Sequence, residues 1–301
     1  MILGGTDLSQ FGFFASQHPN SNIGLTGMCD MPNRLGKTYH SWADSRGVEP
    51  YVLSEEIIFG GRDIQLIGII QGETKNITEA NNSSLINLVN EFTDLSEFTT
   101  EFGTYQVYVK SIEATYLSDY AFEILINLRE PVVDMPNDLP TPDAAQIGID
   151  RISFAQLGGG LLRVAGDVRN RPALKPQDFT VWGKEGYQIT KTEAPILNIE
   201  MYIEGNSYAD FKGKINRLQA LLASAGTRLI KAPNLSLREF FVTEGFKVTN
   251  MFSAENYFFG LVTIKAIEVF EREQNMGFLT TNGGDYITDN YSKKIKGYGR
   301  Y

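Results

Sequence analysis

The stretch Thr180–Gly205, TVWGKEGYQITKTEAPILNIEMYIEG, decides the fold that we predict for this chain. Its first part predicts a turn at Trp182–Gly186 and a strand from Tyr187 to Thr190. After a polar break and a proline, residues Ile196–Ile203 alternate between apolar and polar side chains. A period of two is typical of a strand with one buried face. We therefore expect opposite faces for two sets of side chains: Ile199, Met201 and Ile203 inside, and Asn198, Glu200, Tyr202 and Glu204 outside.

A weaker copy of this pattern lies earlier in the chain, between residues 35 and 72. Leu35-Gly36-Lys37 corresponds to Trp182-Gly183-Lys184, and Ile64–Gly72 corresponds to Leu197–Gly205. Each copy of the strand is followed by a polar loop and a segment with helical spacing of apolar residues, Ser84–Phe92 in the first copy and Tyr208–Ala223 in the second. The apolar residues with this spacing are Leu85, Leu88, Val89 and Phe92 in the first, and Phe211, Ile215, Leu218, Leu221 and Leu222 in the second.

Strand-like segments follow both helices, so that one order of elements occurs twice. These segments are Tyr105–Val109 and Ala121–Leu128 in the first copy, and Glu239–Thr249 and Phe258–Phe270 in the second. The pattern favours a duplicated unit over the many short periods of a solenoid. The alternative is that two unrelated α+β domains share this order by chance.

Local signals predict where some of these elements begin and end. Ser83 or Ser84 would cap the first helix, Ser207 would cap the second, and Gly226 would end it. Gly60-Gly61-Arg62-Asp63 predicts a hairpin turn between Ile57–Phe59 and Ile64–Ile70.

The chain divides into five regions by composition. Residues 132–149 carry three prolines and three aspartates and predict a linker. Residues 1–34 are rich in Gly, Asn, Ser and Pro and predict an extended arm with one short strand. The predicted regions are the N-terminal arm 1–34, a first domain 35–131, the linker 132–149, a second domain 150–273 and a C-terminal arm 274–301. The predicted class is mainly β with α.

Charge and length limit the functions that we consider. The chain has 301 residues and a formal net charge of −9, which argues against tight binding to a nucleic-acid backbone. No apolar run is long enough to span a bilayer, and the N-terminus lacks the pattern of a signal peptide. We therefore expect a protein that is made in a cytoplasm and does not insert into membranes.

No catalytic, cofactor or metal motif emerges from the sequence. The two histidines, His18 and His40, lack a companion at metal-binding spacing, and Cys29 is the one cysteine. Gly158-Gly159-Gly160 lacks the lysine of a phosphate-binding loop. The closest carboxylate pairs, Glu55-Glu56 and Glu271/Glu273, are typical of solvated strand faces. We expect neither an enzyme nor a bound cofactor or metal.

Several short motifs resemble siphophage distal tail proteins and the wider tail-tube superfamily. Near the start, Thr6-Asp7-Leu8-Ser9-Gln10-Phe11-Gly12 is similar to the short "DLSxxG" strand that opens the first domain of distal tail proteins. The better likeness lies in the second repeat, in the segments NIEMYIEG (198–205), FKGKINRLQALLASAG (211–226) and VTIKAIEVFE (262–271). One departure is that distal tail proteins usually pair one tube-like domain with a different peripheral domain, whereas this chain carries two similar units.

The resemblance implies two tandem tail-tube-like β-barrel or sandwich domains, each with one flanking helix, plus extended arms at both ends. It implies a ring-forming distal tail or baseplate hub protein that continues the lumen of the tail tube and joins the tube to the tip. Its partners would be further copies of itself, as a trimer with six units or as a hexamer, together with the adjacent tube and tip proteins. DNA would pass through the lumen without specific binding, and an acidic lumen would repel its phosphates.

Residues expected at contacts between subunits lie in the predicted arms and in the central turn. They are Phe11, Trp182, Lys293, Lys294, Lys296 and Arg300. The protein would belong to the virion tail after assembly in the host cytoplasm.

Two other functions remain open at this point. The chain could be a tail tube protein proper, because duplicated tube domains are similar to those of trimeric tube and hub proteins. It could also be a non-viral carbohydrate-binding β protein, although only Trp42 and Trp182 could stack on sugars.

Overall fold

A computed structural model describes residues 1–41, 48–166, 174–181, 184–269, 276–278 and 296–298, and in 174–192, 276–278 and 296–298 it describes the backbone alone. Within these residues the protein is mainly β with two α-helices, which confirms the predicted class. The tube-like identity of the two units and the domain boundaries stay predictions.

The strands are numbered in chain order. They are β1 (Ile2–Leu3), β2 (Thr6–Asp7), β3 (Phe13–Ala15), β4 (Leu25–Thr26), β5 (Tyr39–His40), β6 (Glu49–Pro50), β7 (Arg62–Gln71), β8 (Ser96–Thr100), β9 (Gly103–Ser118), β10 (Ala121–Glu130), β11 (Gly148–Ile149), β12 (Gly159–Gly166), β13 (Leu174–Val181), β14 (Lys184–Thr192), β15 (Ile196–Gly205), β16 (Arg228–Lys231), β17 (Arg238–Ala254), β18 (Tyr257–Glu268), β19 (Met276–Phe278) and β20 (Lys296–Tyr298). Helix α1 is Lys75–Glu91 and helix α2 is Tyr208–Ala223, and short 3-10 helices cover Leu8–Phe11 and Ser54–Glu56.

Two large antiparallel sheets have the same strand order. The first runs β2-β1-β8-β9-β10-β7-β3, with β4 also on β7, and the second runs β11-β16-β17-β18-β15-β12. Helix α1 follows β7 and helix α2 follows β15, so the helix occurs at the same place in both units. The strands β7 and β15 contain the two copies of the strand that the sequence pattern matched. Small two-stranded sheets join β5 to β6, β13 to β14, and β19 to β20.

Strand β15 shows the predicted alternation of faces. Ile199, Met201 and Ile203 are fully buried, whereas Glu200 and Tyr202 lie partly in solvent. The predicted strand Tyr187–Thr190 falls inside β14. Of the turn predicted before it, Lys184 to Gly186 belong to β14, and Trp182 and Gly183 lie outside the described residues.

Helix α2 covers the buried face of the second sheet and has the predicted bounds. Its predicted apolar residues are all buried. Ser207 caps it as expected, since its Oγ accepts a hydrogen bond from the Asp210 amide at 3.2 Å. Gly226 does not end the helix, because Ser224 is the C-cap residue and Gly226 adopts φ +87° two residues later.

Helix α1 begins nine residues earlier than predicted. It starts at Lys75, and the Thr74 side chain caps it by accepting a hydrogen bond from the Ile77 amide at 3.3 Å. Ser83 and Ser84 are therefore inside the helix and do not cap it. The sequence missed the first turns because Thr78 is the buried residue there, and a threonine gives no apolar period.

The hairpin predicted around Gly60–Asp63 does not form. Strand β7 begins at Arg62, while Phe59 pairs with Arg34 of the N-terminal region, and the Gly60 amide donates to the Asn33 carbonyl at 2.9 Å. A long-range pairing thus replaces the local turn that the glycines suggested.

The N-terminal region differs from the predicted arm. Residues 1–34 contribute four strands to the first sheet, and Leu3, Leu8, Leu25, Met28 and Cys29 are almost completely buried. The predicted linker also gives a strand at its end, where β11 pairs with β16. One continuous cluster of buried side chains draws on both sheets and on residues 1–34.

Helix α2 offers a direct test of the packing in the second sheet. Phe211 is fully buried, and its ring lies 4.9 Å from the ring of Phe258. We expect Phe211→Ala to lower the free energy of unfolding by about 3–5 kcal/mol, because it leaves a cavity between helix and sheet. Urea unfolding would measure this. Arg217→Ala, on the exposed face of the same helix, should change it by less than about 0.5 kcal/mol. Equal effects would contradict the packing described here.

Candidate functional site

Residues 21–34 cross from the first sheet to the second, and we call them the joint segment. On one side β4 pairs with β7, with Leu25 opposite Leu66. On the other side the Met31 amide donates to the Phe246 carbonyl of β17 at 2.9 Å, and the Arg34 amide donates to Thr243 at 3.1 Å. The joint segment therefore links the two sheets through backbone hydrogen bonds.

Asn22 extends this pairing along β17 with its side chain. Its Oδ1 accepts a hydrogen bond from the Ser253 amide at 2.8 Å, and its Nδ2 donates to the Ser253 carbonyl at 2.6 Å. Its own amide donates to Met251 at 3.3 Å. An asparagine side chain can satisfy both groups of one residue in this way because it is both donor and acceptor.

Helix α2 holds the joint segment from its other side. Lys212 Nζ donates to the Met28 carbonyl at 3.2 Å, and Gln219 Nε2 lies 3.3 Å from the carbonyls of Cys29 and Asp30. Gln219 is buried, although its polarity alone would predict an exposed position. These contacts satisfy carbonyl groups of a segment that turns away from regular strand pairing.

A group of ionisable side chains is enclosed where these elements meet. The Cys29 Sγ lies 4.0 Å from the Tyr208 hydroxyl, which lies 3.5 Å from the Tyr105 hydroxyl. Burial raises the pKa of the Cys29 thiol and of both tyrosines, and it lowers the pKa of Lys212. The thiol is therefore protonated near neutral pH, and a protonated thiol is a poor nucleophile.

Asp30 of the joint segment is the last member of this group of ionisable side chains. Burial raises the pKa of its carboxyl group from 3.8 to about 6, although Oδ1 accepts a hydrogen bond from the Val248 amide at 2.8 Å. The cations Lys247, Arg62 and Lys212 lower the pKa by smaller amounts. Asp30 thus loses its proton closer to neutral pH than an ordinary aspartate does.

Gly245 allows the closest approach between the joint segment and β17. It adopts φ +65°, and a Cβ built on it would lie 2.2 Å from the Met31 carbonyl oxygen. The register of β17 against β18 shifts between Val242 and Phe246, so Gly245 lies inside a β-bulge. A side chain here would meet both backbone strain and a steric clash.

A polar groove of about 530 Å³ opens beside the joint. His18, Asp30, Arg62, Arg129 and Lys247 are among its lining residues. Within the described part of the chain, no three His, Cys, Asp or Glu side chains come together as metal ligands. The two histidines have different neighbours: His18 Nδ1 lies 3.1 Å from the Pro19 carbonyl oxygen, and His40 Nδ1 lies 2.8 Å from Lys37 Nζ.

The outer faces of both sheets carry charged pairs. On the first, Asp63 Oδ1 binds Arg129 at 3.0 Å and Lys110 at 3.3 Å. The second has a two-point contact between Arg163 and Glu200, with Nη2 to Oε1 at 2.6 Å and Nε to Oε2 at 2.8 Å. The carboxylates of Asp63 and Glu200 are thus paired with neighbouring cations. These two residues therefore add little to the net negative charge of the faces on which they lie.

Large apolar side chains are exposed where β9 turns into β10. Tyr116 and Tyr120 are more than half exposed, as is Leu117. Tyr116 donates a hydrogen bond to Asp119 at 2.8 Å, and Lys75 binds the same carboxylate at 3.2 Å. Aromatic residues are enriched at protein–protein contacts, whereas Lys and Asp are depleted there.

The residues predicted at subunit contacts do not form one described surface. Phe11 is half-buried in the first 3-10 helix and packs against the core of its own chain. Trp182, Lys293, Lys294 and Arg300 lie outside the described residues, and Lys296 is described only as backbone in β20. The joint segment was not predicted, because its partners on β17 lie more than 200 residues away in the chain.

Comparisons with known proteins give a limited result. No protein family matches the chain, and no curated protein matches it. Among solved structures it is similar to the crystal structure of the SPP1 Dit (gp 19.1) protein, described as a paradigm of the hub adsorption apparatus in Gram-positive infecting phages. The match covers 89% of this chain and 97% of that one, with 10% identity and a TM-score of 0.33. At this TM-score the function must be argued from the residues.

No helix in the described ranges has the length and apolar character needed to cross a membrane.

The contact at Gly245 can be tested against a second glycine of the same chain. We expect Gly245→Ala to lower the free energy of unfolding by about 1–2 kcal/mol or more, because alanine disfavours positive φ and its Cβ meets the Met31 carbonyl. Gly213→Ala, on α2 with open space around it, should raise the free energy by about 0.5–1 kcal/mol. Thermal or urea unfolding would measure both. A neutral Gly245→Ala would contradict the close approach.

Asp30 predicts a pH dependence of stability. Because its pKa is raised in the folded protein, its contribution to stability is fully present below about pH 4 and is lost as the pH rises through about 6. Asp30→Asn keeps an oxygen acceptor for the Val248 amide but cannot ionise. We expect the variant to be more stable than the natural chain by about 1–3 kcal/mol at pH 7.5 and not at pH 4. Unfolding curves at both pH values would show this, and a pH-independent difference would contradict it.

Proposed function

We propose that this chain is a structural protein of a phage or phage-like tail, which forms a ring at the distal end of the tail. It would continue the lumen of the tail tube and join the tube to the tip or hub. The observation that carries this proposal is the repetition of one sheet order, with the two copies joined through different surfaces. The motifs at Thr6–Gly12, 198–205, 211–226 and 262–271, which are similar to those of distal tail proteins, support it.

The repeat supports a ring for a geometric reason. The joint places the β3 and β4 side of the first unit against the β17 side of the second. This contact is heterologous, because each unit contributes a different surface. A heterologous contact that is repeated with a closing rotation gives a cyclic assembly. Six units could come from three chains, or six chains could each contribute one unit to the ring.

The wider setting follows from the same proposal. The ring would contact the adjacent tube and tip proteins, and DNA would cross its lumen without specific binding, as expected for an acidic chain. Assembly would take place in the host cytoplasm and the mature protein would belong to the virion tail. We propose a structural role without catalysis. The place of a tail tube protein proper is the second candidate, because a tube ring would use the same repeat.

The native mass of the purified protein tests this proposal. We expect a trimer or a hexamer in multi-angle light scattering, and negative-stain class averages with a central hole and sixfold appearance. Three chains around the hole would favour duplicated tube units, whereas six chains would favour one unit per chain in the ring. A monomer that persists across a concentration series into the millimolar range would contradict the ring.

A further inference from the structure

The two long strands β9 and β17 are equivalent, but within the described residues only β17 has both edges covered along its length. Strand β8 pairs with β9 over Gly103–Val107, and β16 pairs with β17 over Arg238–Phe240. Beyond that point the joint segment covers the outer edge of β17, from Thr243 to Ser253. The corresponding edge of β9, from Tyr108 to Ser118, has no strand paired to it among the described residues.

Residues that pair across neighbouring strands form rows that run across each sheet, and these rows show which residues of the first sheet correspond to which residues of the second. Leu66 of β7 and Ile199 of β15 hold equivalent places. In the first sheet the row continues to β10 and β9, and in the second to β18 and β17, giving the rows Leu66–Ile126–Ile112 and Ile199–Ile264–Phe246. The next row gives Gly68–Ile124–Ala114 and Met201–Val262–Val248.

These rows identify the backbone groups at the free edge. The Phe246 carbonyl accepts from the joint segment and the Val248 amide donates to it. Their counterparts, the Ile112 carbonyl and the Ala114 amide, therefore face outward from β9. An unpaired row of such groups is a template for another strand.

The middle of the free edge of β9 lacks the residues that usually prevent strand addition. From Ser111 to Tyr116, between the bulges that β9 forms against β10 at Lys110 and at Leu117, it carries Glu113 as its one charged residue and no proline. Lys110, just before this stretch, is bound to Asp63 at 3.3 Å. Natural sheets protect exposed edges with lysines, prolines or bulges, and the six residues between the two bulges of β9 lack these features and are suited to pairing.

The surface that would bind the free edge of β9 lies at β12, the strand that ends the order of the second sheet. In the first unit β3 and β4 pair with β7, and the chain then continues onto β17. In the second unit, among the strands that the structure describes, β12 holds the places of both β3 and β4, since Gly159 lies opposite Ile203 and Val164 lies opposite Ile199. Gly166, the last residue of β12, lies opposite Leu197, and Thr26, the last residue of β4, lies opposite Gln65, so the two strands end at equivalent places to within one residue.

A groove beside β12, with apolar side chains among its lining residues, fits the same purpose. It has a volume of about 740 Å³, and its lining includes Phe154, Leu161, Leu162 and Leu235. Leu162 is the extra residue at the register shift of β12 against β15, and it is 53% exposed. A second unit packed against β12 would cover these side chains.

We propose that the free edge of β9 in one copy binds the β12 end of a second copy, through strand pairing that repeats the joint inside each chain. The partner that binds the β9 edge is a second copy of this chain. Each chain contains one complete contact of this kind, the joint, and also the two surfaces of a further contact, the β9 edge and the β12 end, which are not paired with each other within the chain. The proposal rests on the ring proposed above, for which it names the contact. Repeating the contact relates successive copies as the joint relates the two sheets.

A proline at Ala114 tests the proposal. Ala114→Pro removes the outward amide without removing a hydrogen bond to β10, and edge strands accept proline at such positions. Ala114→Ser is the matched control, because it keeps the amide. We expect Ala114→Pro to reduce the assembled fraction in light scattering at least tenfold, and Ala114→Ser to assemble like the natural chain. Circular dichroism would establish that both variants are folded.

Hydrogen exchange of the unmodified chain gives a second measurement that requires no variant. Peptides covering 108–118 should gain protection when the concentration is raised through assembly, whereas peptides covering 243–253 should be protected throughout. Assembly without protection of 108–118, or by Ala114→Pro to the natural extent, would overturn the β9 contact and leave the ring intact. Protection of 108–118 in the monomer would also overturn it, because the edge would then be covered within one copy. A chain that never assembles would contradict both the contact and the ring.

Discussion

The structure depends on the passage of the joint segment between the two sheets. The apolar side chains of this segment follow neither a strand nor a helix period, and its polar backbone must find partners wherever it is enclosed. Here β7 supplies them on one side, β17 on the other, and two polar side chains of α2, Lys212 and Gln219, supply the rest. The two sheets therefore share one core.

This passage also explains why ionisable groups are tolerated in the interior. Cys29, Asp30 and Lys212 lie where the segment leaves regular pairing, and each makes a contact with a backbone or hydroxyl group. Burial without such contacts would cost several kcal/mol for each charge. The shifts in pKa record a remaining cost, so the joint is less than optimal for stability near neutral pH.

Short-range signals predicted part of this fold well. The alternation in Ile196–Ile203 and the helical spacing in Tyr208–Ala223 are local properties, and both elements are found with the expected buried faces. Failures occurred where distant residues decide the outcome. The glycines before β7 suggested a hairpin, but Phe59 pairs with Arg34 instead. Residues 1–34 looked like an arm because their apolar side chains have no period, and their partners near residues 243–253 are invisible to any window of sequence. Trp182 and the basic residues near the C-terminus, chosen as contact sites, lie beyond the described side chains.

The internal repeat connects these points to assembly. When one chain contains two units of one topology, the contact between them is a sample of the contacts that further units can make, because equivalent strands present equivalent edges. In this chain the contact between the two units is heterologous. It leaves edges of β9 and β12 to which the units of neighbouring copies would bind in the proposed ring. A chain with a single unit would contain no contact between units, so its free edges could not be compared with paired ones. Because of the duplication, the contact between copies can be inferred from the contact within one copy. The joint segment on β17 shows how a neighbouring copy would bind the free edge of β9.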